Sequence, residues 1–599
     1  MHPVDWAVVA LLCAISLAVG LYFTRQASRH GAEGYFTTGR KLPWWSIAVS
    51  NTATYQSGNG GFVMLVLVYG LVGNWLWWGA WIIWMPLVAV IWARLWRRMQ
   101  VMTTAELISL RYGGRPARFA RTAYAAVCCF GFSVIQIGYI TGFFVKTIAP
   151  VVGLSPTVIL LLFGGVTAIY TMFGGLAGVV YTDVVQFLIL ILGNSLFLLL
   201  AVPQFGGWGH ILETVAAVRP AGLVQTPPTA GVDQWTLLTL MVCGLFLAGS
   251  PTAGEGMTAQ RFMAARSERH AVAGQLFNAF LALTLRTLPL IGLGVIAMSL
   301  FWSPDVKGAA PAGVQMLDDS AHAWGAVVRA CRLPLGLVGI LIAAEAAAYM
   351  STLSSLINWG SSFVVNDLAP QLRTSPTRQV WISRLTTVVL FGLAAGLTVL
   401  YVDNMVSWFM YINNAMVIFL LPLAWLRFFW WRFNVWGELA AVLLTLPASW
   451  IVWFNLGFGD PGRHPFWQGL ALLFGLAAVI QIGVTLLTPP ESLETLKRFY
   501  ARCRPPGCWG PVRAGVGRAA GEASVGRLIC DAILGILACL GLVLATNATF
   551  ARDWTTAALG AAAALALGLW VIARVVTAEP PVAREEVTCD RSISDCLPR

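Results

Sequence analysis

Long apolar runs separated by short polar segments fill this chain from end to end. A membrane-crossing helix needs about 20 apolar residues, and such runs centre near 4–23, 45–72, 76–93, 122–148, 155–173, 179–202, 235–257, 272–301, 334–363, 383–401, 405–425, 434–455, 466–488, 528–547 and 554–574. The pattern predicts an all-α polytopic membrane protein with about 15 transmembrane helices. The first run is followed by Arg25, Arg29 and His30 instead of a small-residue cleavage site, so it is expected to be a retained helix.

Three runs carry polar interruptions. The second is broken by Ala-Thr-Tyr-Gln-Ser-Gly-Asn-Gly-Gly at 53–61, and 235–257 is broken near Gly249-Ser250-Pro251, with Gly254 and Gly256 following. These two lie five spans apart and therefore cross in opposite directions, which is the pattern of inverted repeats with a binding site where both helices unwind. Glycine and proline also serve helix packing in membranes, so a packing reading stands beside it. The third is the hydroxyl cluster Ser351-Thr352-Leu353-Ser354-Ser355 in the run 334–363. Hydroxyls at bilayer depth must pack in protein or line a polar cavity, because lipid satisfies no hydrogen bond. Together they point to a small cation or solute held inside the membrane.

Composition narrows the classes. With 58% hydrophobic and 11% charged residues, the chain is too apolar for a soluble multidomain protein. Its net charge of +12 sits in short segments between apolar runs, as in cytoplasmic loops, and no nucleic-acid partner is expected. If the N-terminus is outside, the loops expected inside hold Arg25 with Arg40 and Lys41, Arg94 to Arg121, Arg261 to Arg269, Arg373 to Arg384, Arg427 with Arg432, and Lys497 to Arg527. The opposite loops hold Asp233, Asp305, Asp318 and Asp319, and the C-terminus falls in the cytoplasm. The soluble stretches 203–234, 303–333 and 489–527 are too short for an enzyme domain, and no catalytic motif accompanies the six histidines. Of the eleven cysteines, Cys13, Cys128, Cys129, Cys243, Cys530 and Cys539 lie in apolar runs, and Cys503 with Cys508 lacks two further zinc ligands.

Several motifs then occur in order. Thr38-Gly39-Arg40-Lys41-Leu42-Pro43-Trp44-Trp45, Ala105-Glu106-Leu107 to Arg111-Tyr112-Gly113, Gly174-Gly175-Leu176-Ala177-Gly178 to Thr182-Asp183-Val184-Val185-Gln186, and Gln260-Arg261-Phe262-Met263-Ala264-Ala265 resemble signatures of the sodium:solute symporter family, over most of 1–500. The stretches 426–434, 488–491 and 498–500 are similar to a bacterial subgroup. The resemblance implies a leucine-transporter-like fold of ten core helices in two inverted repeats, working by alternating access. It assigns 4–23 to an extra first helix, 45–202 and 235–425 to the repeats, 434–574 to further helices and 575–599 to a cytoplasmic tail. The expected setting is the plasma membrane, a bacterial inner membrane, with the lipid bilayer, sodium ions and a small organic solute as partners.

Carried over residue by residue, the resemblance places a shared sodium ion on Ala53 and Gln56 of the first break and on Ala348, Ser351 and Thr352 of the hydroxyl helix. Oxygen ligands without a fixed charge suit a hard cation. A second sodium is implied at Asp183 with Ser351, Ser354 and Ser355, and the three serines share one helical face. Buried Asp183 needs such a partner or a water path. In sugar-carrying relatives a lysine three residues before a proline touches substrate; here Arg286 precedes Pro289 in that way. Gly79, Ala248 and Pro251 stand where the sugar carriers have polar contacts, so a sugar is not favoured. Substrate-contacting candidates are Asn59, Trp78, Arg286, Glu345 and Asn413, and Glu345 has a competing reading as the structural partner of Arg286. The leading expectation is a sodium-driven symporter, not an enzyme. Proton coupling through Asp183 or Glu345, or a membrane sensor, are the alternatives.

Overall fold

The computed structural model describes residues 1–29, 31–54, 60–227, 234–247, 250, 253–372, 375–401, 411–460, 463–517 and 524–577. Helices account for nearly all of it: α1 Pro3–Tyr22, α2 Trp44–Thr54, α3 Gly60–Tyr69, α4 Trp75–Leu87, α5 Gly114–Ala126, α6 Val134–Val152 and α7 Gly165–Gln204. There follow α8 Gln234–Phe246, α9 Met257–Met263, α10 Glu268–Phe280, α11 Thr287–Leu300, α12 Leu337–Phe363, α13 Pro376–Tyr401 and α14 Val417–Phe429. The last are α15 Val435–Trp450, α16 Phe466–Leu487, α17 Leu493–Cys503, α18 Val525–Phe550 and α19 Trp554–Val575. One short parallel pair of strands, Phe301–Trp302 with Gln315–Met316, closes the loop after α11.

Among the described residues, eleven helical runs are long and apolar enough to cross a membrane. One of them, Pro156–Gln204, contains two of the expected spans, while 45–72, 235–257 and 405–425 appear as shorter helical pieces. At 1.5 Å per residue, 49 straight residues would extend roughly 73 Å, more than twice the hydrocarbon thickness. The chain instead turns back at Gly175, where φ is 54° and ψ is −156°. The Gln186 amide therefore reaches the Tyr170 hydroxyl at 3.4 Å, although 16 residues of continuous helix would hold them about 24 Å apart. Such a backbone conformation is nearly restricted to glycine, and a Cβ here would lie 2.7 Å from the Tyr35 carbonyl oxygen. Gly175→Ala should cost about 1–3 kcal/mol in strain alone. Thermal melting of the detergent-solubilised variant should show a clear loss, and an unchanged melting temperature would rule this account out.

The centre of the fold is α12, buried along nearly its whole length and packed against α7, α6, α1 and α2. Helix α1 fits because Gly20 lets it approach the Tyr170 backbone to the distance of a missing side chain, the small-residue contact that membrane packing relies on. Its other end is fixed by Asp5, whose Oδ1 accepts the Gly339 N–H in the first turn of α12 at 3.0 Å. A carboxylate there satisfies an otherwise unpaired donor at the positive end of the helix. Leu188, Leu192 and Leu199 of α7 remain exposed on one side, the face a membrane protein turns to lipid.

Candidate functional site

Helix α2 ends at Thr54 and α3 begins at Gly60, while α8 ends at Phe246 and α9 begins at Met257. Between α8 and α9 the described residues form turns: the Leu247 carbonyl accepts the N–H of both Ser250 and Gly254, and Ser250 O accepts from Ala253 and Glu255. Residues 55–59, 248–249 and 251–252, at the centres of the two interruptions expected from sequence, lie outside the described residues, and α2 and α9 pack beside α12. A half-helix that stops at mid-depth presents carbonyls with no partner in their own ladder. Of the last carbonyls of α2, Asn51 O accepts the Thr54 hydroxyl at 2.9 Å and Thr52 O accepts Arg286 Nη1 at 2.6 Å.

The shared-ion residues Ala53, Ala348, Ser351 and Thr352 are all buried on α2 and α12. Gln56 lies outside the described residues. The Thr352 hydroxyl donates to the Ala348 carbonyl at 3.0 Å, which turns its lone pairs away from its own backbone. Ser351 Oγ donates to Asp183 Oδ1 at 2.6 Å. Two hydroxyls and the terminal carbonyls of a helix make an oxygen-rich, uncharged set, the ligand type a hard cation takes.

Asp183 is fully buried on α7 and brings three helices together. Its Oδ2 accepts the Ser50 hydroxyl of α2 at 2.5 Å and Arg261 Nη2 at 3.3 Å. Arg261, equally buried on α9, also donates from Nε to Ser50 Oγ at 2.8 Å, from Nη2 to Ser355 Oγ at 2.5 Å and from Nη1 to the Met257 carbonyl at 3.0 Å. The carboxylate thus has its cation in the protein itself. Ser354 donates to Ser351 O at 3.0 Å on the same helix. Behind it, Tyr170 donates to Met350 O at 3.0 Å, and Gln186 links Tyr170 to Ser16 of α1.

Arg261 corrects the sequence reading, which counted it among cytoplasmic loop charges. Arg111 and Arg427, counted the same way, are also buried. Sequence alone does not separate an arginine that reaches water from one paired with a carboxylate on a distant helix. The one available signal was position, since Arg261 follows an interrupted helix within a few residues.

Arg286, between α10 and α11, is 1% exposed. Beyond the bond to Thr52 O, its Nε and Nη2 have no partner among the described residues. Glu345 on α12 is buried too, with no ion pair to Arg286 among the described residues. Trp78 is fully buried on α4, which packs against α8. Asn413 belongs to the helical segment Tyr411–Met416 that leads into α14, and Asn59 lies outside the described residues.

Paired interrupted helices packed around a hydroxyl-rich third, with buried charge at the meeting point, are the parts of an alternating-access membrane carrier. The sequence profile of the sodium:solute symporter family matches residues 35–445. The chain is 27% identical to the sodium/mannose cotransporter of Bos taurus, over 91% of this chain and 96% of that protein. It is 25% identical to the sodium/sialic acid symporter of Proteus mirabilis, over 68% and 80%. Among solved structures, an outward-open, substrate-bound sodium-coupled sialic acid symporter superimposes with a TM-score of 0.65 at 21% identity, covering 82% of this chain and 99% of that one. The fold is leucine-transporter-like. The chain belongs to the sodium:solute symporter family, and this multi-pass membrane protein is a carrier that couples sodium to the transport of an organic solute.

Proposed function

We propose that inward sodium flow, with one ion on Ala53, Gln56, Ala348, Ser351 and Thr352, drives uptake of a solute whose carboxylate docks on Arg286, with Asn59, Trp78, Glu345 and Asn413 as further contacts. The membrane is the plasma membrane, a bacterial inner membrane, with the N-terminus outside. One observation carries the substrate class: the two N–H groups of Arg286 left without described partners, Nε and Nη2, are the parallel pair on one edge of the guanidinium. That edge matches the two oxygens of a carboxylate. The third nitrogen is spent on Thr52 O, one residue before Ala53, so solute and ion would share a boundary at the break of α2–α3. The Proteus mirabilis relative is a sodium/sialic acid symporter, and sialic acid bears a carboxylate, which supports a solute of this class.

A second sodium at Asp183, Ser351, Ser354 and Ser355 belongs to the same proposal. It would compete with the Arg261 guanidinium already bonded to Asp183 and Ser355.

Uptake into proteoliposomes, with and without a sodium gradient, should be run with pairs of solutes differing only in carboxylate versus amide. Wild type is expected to prefer the carboxylate, and Arg286→Lys, which keeps the charge and loses the fork, should lose about 1–3 kcal/mol of that preference with sodium affinity nearly intact. Equal uptake of both members of every pair, or an unchanged preference in Arg286→Lys, would end the case for an anionic solute.

A further inference from the structure

A second buried charge cluster lies beyond α9, away from the ion residues. Glu255, in the turn before α9, accepts Arg427 Nη1 at 2.7 Å and the Tyr124 hydroxyl of α5 at 2.5 Å on one carboxylate oxygen. Arg427, near the end of α14, gives its Nη2 to Glu438 of α15, which also accepts the Tyr112 hydroxyl at 3.0 Å. All three charged side chains are at most 2% exposed. A further buried arginine ties the surrounding frame together. Arg111 donates to the carbonyls of Arg427, Trp430, Trp431 and Phe433 at the end of α14, and its guanidinium stacks 4.8 Å from the Trp509 ring.

Two features give this cluster more than a structural part. One guanidinium is shared by two carboxylates, and those carboxylates belong to different elements: Glu438 to α15, Glu255 to the turn that continues into α9. That same short helix carries Arg261, six residues on from Glu255, which holds Asp183 and Ser355 at the ion residues. A movement that carries this turn and α9 together away from α7 and α12 would part Arg261 from Asp183 and Ser355 and Glu255 from Arg427 and Tyr124.

We propose that Glu255 is the positioning residue of a latch: its bond to Arg427 and Tyr124 holds the α9 end of the carrier closed, and Glu438, a second negative charge on the other nitrogen of the same guanidinium, weakens that hold by repelling Glu255. The latch faces the side of the Arg94–Arg121 segment, which the proposed orientation places inside. Removing each carboxylate therefore acts in opposite directions. Glu255→Gln leaves Arg427 wholly to Glu438 and frees α9. Glu438→Gln leaves Arg427 wholly to Glu255 and tightens closure.

The chain supplies its own reporter in Cys128, fully buried one helical turn from Tyr124 and in contact with it. A membrane-impermeant maleimide is applied to reconstituted protein in right-side-out and inside-out vesicles, and modification of Cys128 is followed by peptide mass spectrometry. Glu255→Gln should speed Cys128 labelling on the order of tenfold, and Glu438→Gln should slow it. The double variant should match Glu255→Gln. Labelling that rises in both variants, or changes in neither while both elute as folded carriers, overturns the latch. Should Glu255→Gln fail to fold, Glu438→Gln alone decides, because slower labelling is opposite to what general loosening gives. Opposite-signed effects seen only from the outer face would uphold the latch and reverse the orientation instead.

Discussion

Replacing Ser351 and Thr352 together by alanine is expected to raise the sodium concentration for half-maximal uptake about a hundredfold, taking about 1–3 kcal/mol per lost oxygen and tenfold per 1.4 kcal/mol. Solute half-saturation, measured at saturating sodium, should move far less. The two positions are not equivalent. The Thr352 hydroxyl donates to the Ala348 carbonyl on its own helix, so Thr352→Ala removes a proposed ligand and releases a carbonyl. Ser351 also donates to Asp183, and its loss leaves that carboxylate with Ser50 and Arg261 alone. Thr352→Ala should therefore be the cleaner change, lowering sodium affinity without a large loss of stability. If the double variant keeps the sodium dependence of wild type, the ion is elsewhere.

The spans were legible because a bilayer imposes one length and one polarity on every crossing, and the breaks because glycine and proline mark where that rule is suspended. Gly175 shows the limit of that logic. The expected boundary near 173–179 lies at the turn, yet no hydropathy feature tells a reversal at one residue from an ordinary connecting loop. The residues proposed to hold ions were marked by the family resemblance and, for Ser351, Ser354 and Ser355, by a shared helical face. Their partners did not. Ser50 and Arg261 complete the surroundings of Asp183 from sequence distances of 133 and 78 residues; Ser50 carries no local signal of that role, and Arg261 only its place after an interrupted helix. Glu255 and Glu438 were passed over for the same reason: beside a loop arginine, a glutamate at a helix end reads as solvated. Only the fold shows both to be buried on Arg427.

The largest loss of stability is expected from Asp183→Asn. Arg261 would then keep the neutral partners Ser50, Ser355 and the Met257 carbonyl, its ion pair with Asp183 lost. Breaking a buried pair from one side costs about 3–5 kcal/mol, a large share of the roughly 5–15 kcal/mol that separates folded from unfolded protein. Asp183→Asn should melt far below wild type, and Asp183→Asn combined with Arg261→Gln should recover most of the loss because no unpaired charge remains. Arg261→Gln alone asks a different question. It leaves the Asp183 carboxylate beside the hydroxyls of Ser50, Ser351, Ser354 and Ser355 with its internal cation gone, and sodium is the natural replacement. A ligand that binds only the folded state stabilises it by RT ln(1 + [L]/Kd), so sodium should raise the melting temperature of Arg261→Gln more than that of wild type, with potassium giving little effect. In the double variant the extra sodium response should vanish with the carboxylate. An Asp183→Asn protein as stable as wild type would refute the buried pair, and an Arg261→Gln protein no more responsive to sodium would show that these serines do not form a second ion site.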